Sequence, residues 1–199
     1  SSSLCHRLAV GNPRVFVKND FRESPNTAVH ILLDSSGSMT DSGLMLANAV
    51  CYAVGKALQG ISGVNLGITA FPGANRAKRG TTVAPVLRHG EKLTARFPEI
   101  AYGMTPMAES LWWVMQQMCL LHESRKIILI ITDGEPDSIP AAQEVLRQAQ
   151  KKGFECYGLG IMCPSISTLL PHASRVIEAL PQLAPALFEL LEGAFRRNT

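Results

Sequence analysis

Short apolar runs with the composition of buried β-strands alternate along this chain with longer segments of helical period. The four clearest runs cover residues 29–33, 64–71, 126–132 and 154–161. The strands of a parallel sheet are buried on both faces and read as near-continuous apolar runs, and the segments between them supply the covering helices. The sequence therefore predicts an α/β fold with a doubly wound, mostly parallel central sheet and helices on both faces.

The segments between the runs carry signals for the start and end of helices. Apolar residues recur at spacings of three and four before Gly60, a helix terminator, and Pro106 suits the first turn of a later helix. The predicted helices cover residues 44–58, 106–119, 139–151 and 185–197. The predicted edge strands cover residues 81–87 and 175–180. Trp112 and Trp113 are adjacent and cannot share one helix face, so we expect Trp112 in the core and Trp113 partly exposed.

The length of 199 residues, with 46% hydrophobic residues, fits one globular domain. We expect this domain to occupy residues 27–199. Residues 1–26 fit the alternation poorly and are predicted to form an N-terminal extension. That extension contains a candidate edge strand at 14–18 and a candidate hairpin turn at 11–13.

Charge and cysteine content limit the class of protein. A formal charge of +3 is too small to indicate nucleic-acid or membrane binding without a local patch. Five cysteines without a C-x-x-C pair predict neither a disulfide framework nor a zinc knuckle, and indicate a reducing cytoplasm. Cys51, Cys119 and Cys156 lie in apolar runs, where free cysteine is usually a core residue. No apolar run reaches the roughly 20 residues of a membrane span.

Oxygen-bearing side chains follow two of the predicted strands and precede one helix. Asp34, Ser36 and Ser38 come directly after the first run, Thr105 precedes the tryptophan-containing helix, and Asp133 follows the third run. If the first and third runs are neighbouring strands, these oxygens surround one point at the carboxyl edge of the sheet. Two carboxylates with neutral hydroxyls suit Mg²⁺, and Mn²⁺ nearly as well, better than zinc. Glu135 and Asp137 are candidate accessory residues, although a solvated acidic loop also explains them.

The Asp-x-Ser-x-Ser sequence, the Thr of Gly-Met-Thr-Pro-Met and the Asp of Thr-Asp-Gly resemble the three parts of the metal-ion-dependent adhesion site of von Willebrand factor A domains. The resemblance implies that Asp34, Ser36, Ser38, Thr105 and Asp133 bind Mg²⁺ or Mn²⁺. It also implies that a protein partner supplies a Glu or Asp to the last coordination position. The site would then be one of binding and not of catalysis.

A narrower similarity links residues 28–39, 103–107 and 130–137 to the C-terminal domain of the CobT-type subunit of cobaltochelatase. This similarity implies an adaptor that works beside an AAA+ ATPase in a chelatase-type or remodelling complex. ATP hydrolysis would lie in the partner, because the chain has no Gly-x-x-x-x-Gly-Lys-Ser/Thr motif. The identity of the partner, and whether a tetrapyrrole is the target, stay open at this point.

Three other interpretations compete with a metal-dependent adaptor. Asp34 and Ser36 could merely cap the following helix. A stand-alone hydrolase would need a Gly-x-Ser-x-Gly elbow, which the sequence lacks. A nucleic-acid-binding domain could use a basic stretch to hold phosphate if it lies near the metal, although a solvated basic loop or a contact with an acidic protein partner also explains that stretch. The cations of that stretch are Arg76, Lys78, Arg79, Arg88, Lys92 and Arg96.

Overall fold

One sheet of six strands organises the computed structural model, which describes residues 26–73, 83–94 and 96–196. Its strands are β1 (Thr27–Asp34), β2 (Val64–Phe71), β3 (Ala84–Leu87), β4 (Arg125–Thr132), β5 (Phe154–Ile161) and β6 (Ser174–Ile177). Their order across the sheet is β3-β2-β1-β4-β5-β6. Only β3 is antiparallel to its neighbour. The predicted mostly parallel α/β fold is confirmed.

Five helices cover the two faces of the sheet within the described residues. They are α1 (Thr40–Gln59), α2 (Met107–Cys119), α3 (Ile139–Lys151), α4 (Ser165–Leu169) and α5 (Leu183–Arg196). Helices α1 and α5 pack on one face, and α2, α3 and α4 pack on the other. Alternate residues of each central strand supply the two cores, as in β4, where Leu129 packs towards α1 and Ile130 towards α2 and α3. Within this part of the chain, no helix is long and apolar enough to cross a membrane.

Several predicted helices and strands differ from the observed ones by a few residues, and the predicted N-terminal extension is not tested. Residues 1–25, which contain all but the last residue of the predicted extension and its candidate strand at 14–18, lie outside the described residues. The edge strands are shorter than predicted, at Ala84–Leu87 and Ser174–Ile177. The short helix Ser165–Leu169 carries no clear sequence period and was not predicted.

The expectations for Trp112 and for Cys119 are wrong, whereas Trp113 is partly exposed, as predicted. Trp112 is 48% exposed, whereas Trp113 is half-buried against the core beneath α2. Trp113 lies on the side of α2 that faces the edge strand β3, where it lines one groove together with Leu87 and His89. Cys119 is exposed because it is the last residue of α2.

A polar pair interrupts the core on the α2 side of β1. The imidazole of His30 is buried, with Nδ1 3.0 Å from Nε2 of His89 and Nε2 2.9 Å from Oγ1 of Thr69. Gly67 leaves room for both rings, because a β-carbon there would lie 2.6 Å from a nitrogen of each. Burial, and secondarily the neighbouring His89, hold the pKa of His30 well below its usual range. His30 is therefore a neutral residue in the folded protein at pH 7.

Acidification is expected to destabilise the protein through His30. As the pH falls below the unfolded pKa of about 6.5, the unfolded chain takes up a proton that folded His30 excludes. The contribution of His30 to the free energy of unfolding then falls by up to about 1.4 kcal/mol per pH unit. Urea unfolding at about pH 7.5 and about pH 5.5 measures this loss, and the loss should be smaller in His30→Gln. Equal losses in the two proteins would contradict the prediction.

Candidate metal centre

The candidate site lies where the strand order of the sheet reverses. After β1 the chain continues to β2 on one side and later returns to β4 on the other, so the carboxyl ends of β1 and β4 are adjacent. Ligands of open α/β sheets bind in the crevice at such a point. Asp34 ends β1, and Asp133 directly follows β4.

The loop after β1 folds back over the end of its own strand. Asp34 is fully buried, and the backbone N–H of Ser36 donates to its Oδ1 over 2.8 Å. The Oγ atoms of Ser36 and Ser38 are 3.0 Å apart. A 3₁₀ turn at Gly37–Met39 then leads into α1. The turn brings one carboxylate and two hydroxyls to the same place, as the spacing of alternate polar residues predicts.

The end of β4 closes the site from the other side. Ser38 donates from Oγ to Oδ1 of Asp133 over 2.7 Å, which joins the two loops. Thr132, the last residue of β4, donates from Oγ1 to Oδ2 of Asp34. Both oxygens of Asp34 therefore accept hydrogen bonds from protein donors, and the carboxylate is held in one orientation.

Thr105 is supported by Asp137. The backbone N–H of Thr105 donates to Oδ1 of Asp137 over 2.8 Å, and the backbone N–H of Asp137 donates to the carbonyl of Thr105 over 3.0 Å. This reciprocal pair fixes the segment before α2 against the loop after β4. Asp137 thus acts on the site through the position of Thr105. Glu135 is exposed at the same loop.

The space beside Gly134 shows that oxygens from the loop after β1 and from the segment before α2 face a common point at the loop after β4. A β-carbon at Gly134 would lie 3.2 Å from Oγ of Ser38, 3.3 Å from Oγ1 of Thr105 and 3.9 Å from Oδ2 of Asp34. The absent side chain leaves a cradle lined by two hydroxyls and a carboxylate, with Asp133 bonded to Ser38. An all-oxygen lining of this kind fits a hard divalent cation. The structure thus brings together all five residues singled out from the sequence.

The electrostatics of this cradle also favour a cation. Burial, opposed by hydrogen bonds from Thr132 and Ser36, raises the pKa of Asp34 to about 6. Burial likewise raises the pKa of Asp133. Among the described residues, no basic side chain forms an ion pair with either carboxylate. Ionisation of a buried and a partly buried carboxylate without a neighbouring positive charge costs free energy, and a bound cation would offset that cost.

The part of the basic stretch that the structure describes does not lie near the candidate metal centre. Arg76, Lys78 and Arg79 lie outside the described residues. The others, Arg88, Lys92 and Arg96, are exposed and line one open groove with Glu91. Because β3 is antiparallel to β2, it leads away from the metal edge, and the N–H of Gly90 reaches Asn65 at the start of β2. Arg88 and Lys92 therefore lie towards the opposite end of the sheet.

Sequence reasoning missed three residues that support the site. Thr132 orients Asp34, and Gly134 provides the cradle. Cys163 is buried and donates from Sγ to the carbonyl of Gly134 over 3.3 Å, which ties the loop after β5 to the loop after β4. Thr132 and Gly134 flank Asp133 in the recognised Thr-Asp-Gly motif. No signal in the sequence connects Cys163 to the site.

Comparisons with known proteins agree with this geometry. The model of the von Willebrand factor type A domain family matches residues 28–186. No curated protein matches the chain.

Solved structures share the fold at low sequence identity. A mussel byssus protein, proximal thread matrix protein 1 with a zinc-occupied MIDAS motif, superimposes with a TM-score of 0.68 at 10% identity over 84% of this chain and 45% of that one. Manganese-loaded TRAP protein of Plasmodium vivax superimposes with a TM-score of 0.61 at 16% identity, over 84% of this chain and 74% of that one. The vWF domain of the pilus tip protein Mfa5 of Porphyromonas gingivalis superimposes with a TM-score of 0.64 at 10% identity, over 84% of this chain and 94% of that one. The chain spans less than half of the mussel protein.

Proposed function

Because the chain belongs to the von Willebrand factor type A domain family, we propose that it binds a divalent cation, Mg²⁺ or Mn²⁺, and uses the ion to capture a protein partner. The ligands in this proposal are Asp34, Ser36, Ser38, Thr105 and Asp133. The observation that carries it is the cradle beside Gly134, where oxygens of Asp34, Ser38 and Thr105 face one point. Two structural relatives hold zinc or manganese, which supports a divalent ion.

The proposed capture follows from the charges of the ligands. Asp34 and Asp133 together neutralise a divalent ion, while the three hydroxyls add no charge. A bound ion held largely by neutral hydroxyls would keep an open coordination position and enough electrophilic character to accept one further carboxylate. Thr132 and Asp137 hold Asp34 and Thr105 in place before the partner arrives, so little reorganisation accompanies binding. The partner then contributes a Glu or Asp to the metal.

A finer proposal concerns the identity of this partner. The similarity of residues 28–39, 103–107 and 130–137 to the CobT-type subunit supports an adaptor for an AAA+ ATPase in a chelatase-type complex of the cytoplasm. The adaptor itself would not be catalytic. Capture of a candidate AAA+ ATPase, compared in Mg²⁺ and in EDTA, tests the finer proposal separately from metal binding. Equal capture in both buffers would exclude the metal from the interface.

Metal is expected to stabilise the folded chain. At about 100 times its dissociation constant, an ion that binds only the folded state adds about 2.7 kcal/mol, which raises Tm by about 5–10 °C for a domain of this size. Thermal unfolding with Mg²⁺ and with EDTA measures the shift, and calorimetry measures the affinity. Asp133→Ala should remove the shift, because the ion loses one of its two carboxylates.

Glu135→Ala is the matched control for Asp133→Ala. Glu135 lies two residues further along the same loop, is exposed and is not one of the proposed ligands. Its replacement removes an equal charge and should retain the metal-dependent shift. A wild-type protein that titrates neither Mg²⁺ nor Mn²⁺ and unfolds identically in EDTA would overturn the proposed metal site.

Nucleic-acid binding is the second candidate function. Its support is the grouping of Arg88, Lys92 and Arg96 along one open groove of about 470 Å³ beside β3. Glu91 lies in the same groove and reduces its net positive charge. Binding of RNA and DNA that weakens steeply with salt, and that persists in EDTA, would favour this function over capture through the metal.

A further inference from the structure

Three large apolar side chains stand exposed around the candidate metal centre. Tyr102 is 58% exposed, Met104 is 71% exposed and Met162 is 70% exposed. We refer to these three residues as the apolar rim. Single exposed apolar residues are ordinary on a protein surface, whereas a group of them beside a polar site indicates a surface that contacts a partner.

Two members of the apolar rim are attached to the first loop of the site. Met104 directly precedes Thr105. The N–H of Tyr102 donates to the carbonyl of Ser35 over 2.9 Å, and the N–H of Gly37 donates to the carbonyl of Gly103 over 3.2 Å. The segment that carries Tyr102 and Met104 is therefore bonded to the same loop that carries Asp34, Ser36 and Ser38.

The third member flanks the site from the side of β5. Met162 follows the last residue of β5, and the next residue, Cys163, is bonded to the carbonyl of Gly134. Met162 has φ +52°, and its N–H donates to Ile177 over 2.7 Å. The exposed side chain of Met162 thus lies one residue from a contact with the loop after β4.

The charge around the apolar rim selects against a strongly acidic partner. Glu135 and Asp137 are exposed beside Asp133, and the two proposed carboxylate ligands already offset the charge of the ion. A second acidic group on the partner would meet these carboxylates and be repelled. Apolar groups next to the first acid would instead bury the rim, and flexible methionine side chains adapt to different apolar shapes.

We propose that the captured partner presents a single Glu or Asp flanked by bulky apolar side chains, with the carboxylate on the metal and the apolar groups on Tyr102, Met104 and Met162. This inference rests on the proposed metal-dependent capture and specifies the chemistry of the captured segment. An acidic run or a phosphate-rich chain would have the charge for the metal but would leave the apolar rim uncovered.

Three synthetic peptides of equal length test this proposal with the full chain. Each has a central Glu, flanked by Leu and Phe, by Ser and Gln, or by further Glu residues. Binding is measured by NMR titration in Mg²⁺ and in EDTA. The apolar-flanked peptide should bind in Mg²⁺ at least about tenfold more tightly than either of the others, since each methionine buries apolar area. Met104→Gln and Met162→Gln should each remove most of this preference without altering the affinity for Mg²⁺.

Leu120→Gln is the matched control, because Leu120 is 78% exposed but lies just beyond the far end of α2. It should retain the preference for the apolar-flanked peptide. Equal binding of all three peptides in Mg²⁺ would overturn the role of the apolar rim and leave metal-dependent capture standing. Failure of every peptide to bind in a Mg²⁺-dependent way, with Mg²⁺ itself bound, would overturn both proposals.

Discussion

Replacement of Gly134 by alanine is expected to abolish metal binding and leave the fold intact. The added methyl group would stand 3.2 Å from Oγ of Ser38 and 3.3 Å from Oγ1 of Thr105, in the space that their oxygens face. Those hydroxyls are proposed metal ligands, and the methyl group would occupy the space between them and the ion. Affinity for Mg²⁺ should fall about 100-fold or more, equivalent to about 2.7 kcal/mol. Calorimetry with Mg²⁺ measures the loss, and circular dichroism checks the fold.

Gly37→Ala provides the control for this substitution. Gly37 belongs to the loop after β1, but its added methyl group would lie 3.6 Å from the carbonyl of Gly103, an ordinary contact. This variant should bind Mg²⁺ with nearly unchanged affinity. Retention of wild-type affinity by Gly134→Ala would show that the ion, if bound, lies elsewhere. The site would then have to be reassigned.

Replacement of Gly160 by alanine is expected to destabilise the protein by about 3 kcal/mol. A β-carbon at this position in β5 would stand only 2.3 Å from the carbonyl oxygen of Cys163 and 2.7 Å from Ile166. The first of these is a backbone atom, so the loop must move away from the strand. That movement would also disturb the bond from Cys163 to Gly134. Urea unfolding should show the midpoint falling sharply.

The same substitution at Gly193 tests whether crowding is the cause. Gly193 lies within α5, and a β-carbon there would meet no atom within 4 Å. Alanine is the better helix former, so Gly193→Ala should raise stability by up to about 1 kcal/mol. If Gly160→Ala left the free energy of unfolding unchanged or raised it, as expected for Gly193→Ala, the crowded contact with Cys163 would be contradicted.

Much of the architecture follows from local patterns. The runs at 29–33, 64–71, 126–132 and 154–161 became four central strands because only burial on both faces explains continuous apolar residues of that length. The predicted edge strands were less accurate, since short strands with one exposed edge carry a weaker pattern. The five candidate ligands were also found from their positions after strands and before a helix.

Other features depend on contacts between residues far apart in the sequence. Helical period alone cannot tell which of two adjacent tryptophans packs against the core, and in the folded chain it is Trp113. The pattern of charges likewise cannot show that β3 runs antiparallel and carries Arg88 towards the opposite end of the sheet. Both outcomes depend on the order and direction of strands.

The sequence by itself determined the class of fold and the residue types available at the carboxyl edge, because periodic burial and loop position are local properties. Only the tertiary structure decided how those residues meet. Strand order places β1 beside β4, which lets Ser38 bond to Asp133 and Thr132 bond to Asp34 across nearly one hundred residues of chain. The cradle beside Gly134 exists for the same reason: its walls come from three segments that only the folded sheet brings together.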